Sequence, residues 1–135
     1  MKTPRKDPEK QLEQDEKIVK IVKTVANGIG PILFLVMLIG AIGQGGIDRL
    51  INLTGSEAMI FVGILTMFFG IIWAYQNEIA GGIVVVVVYI VLAIIQGSFI
   101  PNAVFPIFLI TGVFHIYVGV MEMGIKKRHK NQDTR

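Results

Sequence analysis

A chain of 135 residues, 53% hydrophobic and only 17% charged at a mean hydropathy of +0.63, has too little polar surface for a soluble domain and fits one membrane-embedded unit. Its formal charge of +3 is carried almost wholly by the two terminal segments, which points to membrane orientation rather than nucleic-acid binding. Cysteine is absent, which excludes disulfides, thiolate metal sites and thiol catalysis.

Residues 1–27 form a polar N-terminal segment with seven basic and five acidic residues between Lys2 and Lys23. That is too long and too charged for the basic start of a signal peptide, and no small-residue cleavage pattern follows the first apolar run, so the segment is expected to be retained. Residues 1–6 read as a tail. Asp7-Pro8-Glu9 makes a helix start, with a cap, a proline that needs no donor and an acid at the positive dipole end. Residues 7–16 fit either a solvated helix or a disordered tail. Further on, Ile18, Ile21, Val22 and Val25 share one helical face while Lys17, Lys20 and Thr24 take another, which predicts an amphipathic helix lying on the headgroups ahead of the first span.

Residues 28–125 are expected to hold four transmembrane helices, at about 28–45, 57–76, 79–96 and 103–124, each close to the ~20 residues that cross the hydrocarbon core. Pro31 falls in the first turn of the first span, where a missing donor costs little. The span ends in Gly43-Gln44-Gly45-Gly46, and Thr54 with Glu57 forms a capping box for the second. The valine run Val84–Val88 would suggest a strand in water, but in lipid a helix satisfies its own backbone. Asn102 caps the fourth span and Pro106 lies in its first turn. Residues 126–135 form a basic tail. The fold class expected is an all-α membrane protein, a four-transmembrane-helix bundle preceded by a cytoplasmic amphipathic helix. Basic residues crowd both ends, the second loop has none and the first only Arg49, so both termini are expected in the cytoplasm.

Lipid solvates leucine as well as a neighbouring helix does, so small and polar residues mark the helix contacts. Two stripes qualify: Gly63, Thr66, Gly70 and Ala74 in the second span, and Gly112, His115, Gly119 and Glu122 in the fourth. An ionisable group at mid-membrane costs roughly 2.5–3.5 kcal/mol on insertion scales, which makes His115 and Glu122 candidates for proton handling or half of a metal site. The competing reading makes His115 a hydrogen-bonded packing residue and Glu122 a helix-end partner of Lys126 four residues on. Gln44, Thr66, Gln96 and Thr111 are the remaining polar candidates, each read first as interhelical glue.

The connection between the second and third spans, Gly70-Ile-Ile-Trp73-Ala74-Tyr75-Gln-Asn-Glu78-Ile-Ala-Gly81-Gly82, is the most specific string in the chain. It sets two aromatics at the headgroups, the Glu78 carboxylate at a helix start, and Gly81 and Gly82 where the third span begins against the second. The string resembles the signature of a family of small bacterial four-span membrane proteins, through Gly70, Ala74, Tyr75, Glu78, Gly81 and Gly82. Two positions depart from it: Asn77 stands where a second aromatic is expected, and Gln44 where an acid is usual. The resemblance implies the four-span layout and a bacterial inner-membrane location. It brings no activity or cofactor.

No phosphate-cradling loop and no serine with a histidine partner is present, so no catalytic, cofactor-binding or metal-ligating residue is assigned and the chain is not expected to be an enzyme. The expected partners are the lipid bilayer and either copies of itself or a larger membrane complex, with no nucleic acid. The leading functional expectation is a non-catalytic accessory subunit or homo-oligomer. The alternative is a small transporter or channel component using His115, Glu122, Gln44 and Gln96, with a membrane enzyme third.

Overall fold

The computed structural model describes residues 8–43, 52–97 and 105–133. Four α-helices occupy them: α1 (Pro8–Gly43), α2 (Gly55–Ala74), α3 (Glu78–Gln96) and α4 (Phe105–Asp133). All four are long and apolar enough to cross a membrane, and the protein is a helical membrane bundle.

Local chemistry sets the ends of the middle helices. At the start of α2 the Thr54 backbone N–H donates to Glu57 Oε2 at 2.9 Å, and the Thr54 hydroxyl donates to the same oxygen at 2.7 Å. At the start of α3 the Asn77 side chain accepts from the Ala80 N–H at 3.1 Å and caps the helix. The turn between the two helices is Tyr75-Gln76-Asn77, so α2 ends two residues before the expected Gln76 and α3 begins one before Ile79. Val84–Val88 is helical, as the lipid setting predicts, and α3 stops at Gly97, whose φ of 63° suits a residue without a Cβ.

The outer helices depart from the sequence expectation. The amphipathic segment is no separate interfacial helix: α1 runs unbroken from Pro8 to Gly43, and Pro31 sits in its interior. The face that α1 buries is also different. Leu12, Val19, Ala26 and Leu33, seven residues apart, are its buried apolar side chains, while Ile18, Ile21 and Val25 are exposed. A heptad seam packs on α4, and Ile18, Ile21 and Val25 of the face expected on the headgroups stay exposed on another side of α1. The expected tail at 126–135 is likewise helical as far as Asp133, continuing α4. Gln44, the glycines after it and Asn102 lie outside the described residues.

An interior proline leaves the carbonyl four residues earlier without its helical donor. Here that carbonyl belongs to Asn27, and the Tyr75 hydroxyl from the end of α2 donates to it at 2.7 Å. One tyrosine therefore compensates the Pro31 break and fastens α1 to the α2–α3 turn. Tyr75→Phe is expected to cost about 1 kcal/mol of bundle stability in the parent. In a Pro31→Ala background, where a backbone N–H returns, it should cost close to nothing; equal losses in both backgrounds, read from thermal unfolding in detergent, would rule out this coupling.

The core lies between α2, α3 and α4. Met67, Ile71, Val85, Tyr89, Leu92 and Phe108 are buried together, with Leu33 the contribution of α1. Phe68 bridges Phe34 and Phe108 edge-on, at ring-centroid distances of 5.7 and 5.1 Å.

Candidate functional site

Glycines bring the helices close at the end of the bundle where α2 turns into α3. A Cβ on Gly81 would overlap the Ala74 nitrogen and lie 2.5 Å from both the Ala74 Cα and the Gly70 carbonyl oxygen. A Cβ on Gly82 would lie 2.6 Å from the Gly112 carbonyl oxygen, and one on Gly119 2.5 Å from Ile79. The double glycine therefore faces two ways: Gly81 receives the α2 backbone and Gly82 the α4 backbone. Both small-residue stripes are contact faces. Thr66 alone stands aside, half-buried, its hydroxyl donating to the Val62 carbonyl of its own helix at 2.8 Å.

That close approach sets Glu78, the first residue of α3, beside Glu122 of α4, and α1 delivers a cation between them. Lys23 Nζ lies 2.7 Å from Glu78 Oε1 and 2.7 Å from Glu122 Oε1. The expected partner of Glu122, Lys126, is not the one it takes: the α1 lysine reaches it across the bundle. The Glu78 side chain is 10% exposed, against 29% for Glu122 and 40% for Lys23. This three-helix clasp borders a cavity of about 230 Å³ lined also by Tyr75, Asn77 and Lys126. Sequence inspection missed Lys23 because nothing local ties it to carboxylates 55 and 99 positions away. The one available signal was its place on α1, just ahead of the apolar run.

Lys23 stands outside that run, which starts at Gly28, and hydrogen bonds to Glu122 and then Glu78 hold its ammonium above the ordinary lysine value. A raised lysine contributes stability in full below its unfolded value of ~10.4 and loses it as pH rises through the folded value. The lysine's share of the clasp is thus constant at neutral pH and vanishes only in strong alkali.

His115 lies two turns deeper along α4 and is 1% exposed. Its Nε2 has no hydrogen-bond partner among the described residues. Thr111, equally buried, donates to the Ile107 carbonyl at 2.7 Å within its own helix and supplies no link. Gln96 ends α3 while Glu78 begins it, so the two are about 27 Å apart along the axis and the glutamine does not join the His115–Glu122 end. Among the described residues no three of His, Asp and Glu stand close enough to hold a metal ion.

The unpartnered Nε2 contributes no bond that leucine would lose. His115→Leu is therefore expected to change stability by less than about 1 kcal/mol, as when an unpaired polar group gives way to an apolar one of similar volume. A loss above about 3 kcal/mol in thermal unfolding, the scale of breaking a buried charged pair, would assign the ring a partner after all.

Beyond the clasp, α1 and α4 continue side by side. Asp15 Oδ2 accepts from Arg128 Nη1 at 2.9 Å, and Glu16 Oε1 lies 2.8 Å from His129 Nε2. With Leu12 and Val19 buried along the same face, the two helices form an antiparallel projection from one end of the bundle. Comparison of the chain with protein-family models, curated proteins and solved structures returns no match.

Proposed function

We propose that this chain is a non-catalytic subunit of the bacterial inner membrane, with both termini in the cytoplasm, which holds a two-helix projection off the membrane and assembles with other membrane-embedded chains. The observation that carries the reading is the coupling of that projection to the span packing. Lys23 ties the base of the projection to the α2–α3 turn, Asp15–Arg128 and Glu16–His129 tie its stem, and the glycine contacts hold the turn itself. The basic residues of both terminal segments favour the cytoplasmic side, and the turn keeps the string through which the chain resembles small four-span bacterial proteins.

Two measurements test it. The chain lacks cysteine, so single cysteines at Lys10, Asn52 and Asn131 report sidedness directly. The first and last should react with an impermeant thiol reagent only after the cytoplasmic face is opened, and Asn52→Cys from outside; any other pattern removes the assigned orientation. Purification in mild detergent should yield the chain in stoichiometric association with itself or another membrane protein, and a solitary monomer at native expression would remove the subunit reading.

A further inference from the structure

Two of the ion pairs that join α1 to α4 leave a gap between them. Seven residues separate Glu16 from Lys23 on α1, and seven separate Glu122 from His129 on α4. In this antiparallel pair, Glu16–His129 at 2.8 Å and Lys23–Glu122 at 2.7 Å are therefore rungs two helical turns apart. The positions midway are Lys20 and Lys126. Each stands three residues from one rung and four from the other, on the faces that the rungs share, and both line a cavity of about 260 Å³ that Glu16 and Glu122 line as well. Where the rungs on either side match an acid with a base, this one sets two cations together.

We propose that this middle rung binds the phosphate group of an anionic phospholipid headgroup, with Lys20 and Lys126 as its two cations. Neither ammonium has an ion pair or hydrogen bond to another described residue. Two ammonium groups facing one cavity repel each other, and an anion between them replaces that repulsion by two attractions. The carboxylates of the cavity do not fill this role, because Glu16 is engaged by His129 and Glu122 by Lys23. Their charges oppose an incoming anion, yet three lysines line the cavity against these two carboxylates, which leaves room for one negative charge, that of a phosphodiester. Glu78, the second carboxylate on Lys23, lines the neighbouring cavity instead.

Depth selects a lipid over a soluble anion. Lys23 shares the neighbouring cavity with Tyr75, and Tyr75 and Trp73, both exposed at the end of α2, mark the headgroup level. Lys20 lies three residues beyond Lys23, ~4.5 Å along the axis, which keeps the middle rung within the headgroup layer. Phospholipid phosphates crowd that layer, and basic clefts between membrane helices take them up. Both lysines are exposed, so a headgroup can reach them. On the membrane side of Lys126, Met123 and Val120 of α4 are exposed too, an apolar strip for the acyl chain below the same headgroup.

Thermal unfolding of the full chain in neutral detergent, with short-chain phosphatidylglycerol or phosphatidylcholine titrated in, tests the site. Phosphatidylglycerol should raise the melting temperature to a plateau, and phosphatidylcholine, whose amine offsets its phosphate, should raise it less. Lys20→Gln/Lys126→Gln should melt above the parent in detergent alone, because the repulsion is gone, and should lose more than half of the phosphatidylglycerol shift. Lys20→Arg/Lys126→Arg should keep the shift. So should Lys10→Gln/Lys127→Gln, which removes the same charge elsewhere on the projection. Equal losses in the two glutamine pairs overturn the proposal in favour of diffuse attraction to an anionic surface. A Lys20→Gln/Lys126→Gln variant that melts below the parent, or keeps its shift, overturns it as well. Inorganic phosphate that matches the shift at the same concentration as the lipid assigns the rung to a soluble anion and overturns the lipid assignment.

Discussion

Gly81→Leu is expected to abolish the native bundle, with a loss exceeding about 3 kcal/mol, whereas Glu78→Gln at the same turn should cost about 1 kcal/mol. The atoms that a Gly81 Cβ would strike are the Ala74 nitrogen and Cα and the Gly70 carbonyl oxygen, all backbone, so no side chain can rotate away. Relief requires α2 and α3 to separate, and their separation would also withdraw Glu78 from Lys23. Glu78→Gln keeps every helix contact and exchanges an ion pair with a partly exposed lysine for a neutral hydrogen bond. Helix content and thermal aggregation in detergent measure both. If Gly81→Leu matches the parent while Glu78→Gln does not, the turn is held by charge rather than by backbone contact.

Lys23→Met is expected to produce the second largest loss, about 1–2 kcal/mol, despite the side chain's 40% exposure, because it leaves Glu78 only 10% exposed with its cation removed. The penalty comes from the stranded carboxylate more than from the lost attraction. Removing the carboxylate as well should recover most of it, so Lys23→Met/Glu78→Met is expected to melt above Lys23→Met alone. Adding Glu122→Met to Lys23→Met should recover less, since Glu122 at 29% exposure is better hydrated. A double variant no more stable than the single one would show that the lysine acts through its aliphatic stem. The clasp also joins the base of the projection to the spans, so Lys23→Met should speed protease cleavage near Thr24 even where the spans stay folded.

Some features are stated by residues close together in sequence, and these were legible. Four long apolar runs leave no arrangement in lipid except helices, because a backbone donor without a partner costs too much there; the five valines follow that rule rather than their preference for strands. The Thr54–Glu57 cap and the contact role of the glycine stripes are likewise short-range statements. Other features depend on which helix lies beside which, and the tertiary structure alone decided them. The periodicity of residues 18–25 does not say which positions a neighbouring helix covers; the packing of α1 on α4 buries Val19 and Ala26, the positions just beside the expected apolar face. Pro31 stands inside a helix because a tyrosine 44 positions away donates to the carbonyl it orphaned. Glu122 has a lysine four residues on, yet pairs with Lys23, because α1 and α4 run antiparallel and meet at that level. An ion pair is chosen by distance and burial, and distance between residues from different helices is set by packing, which no local pattern encodes.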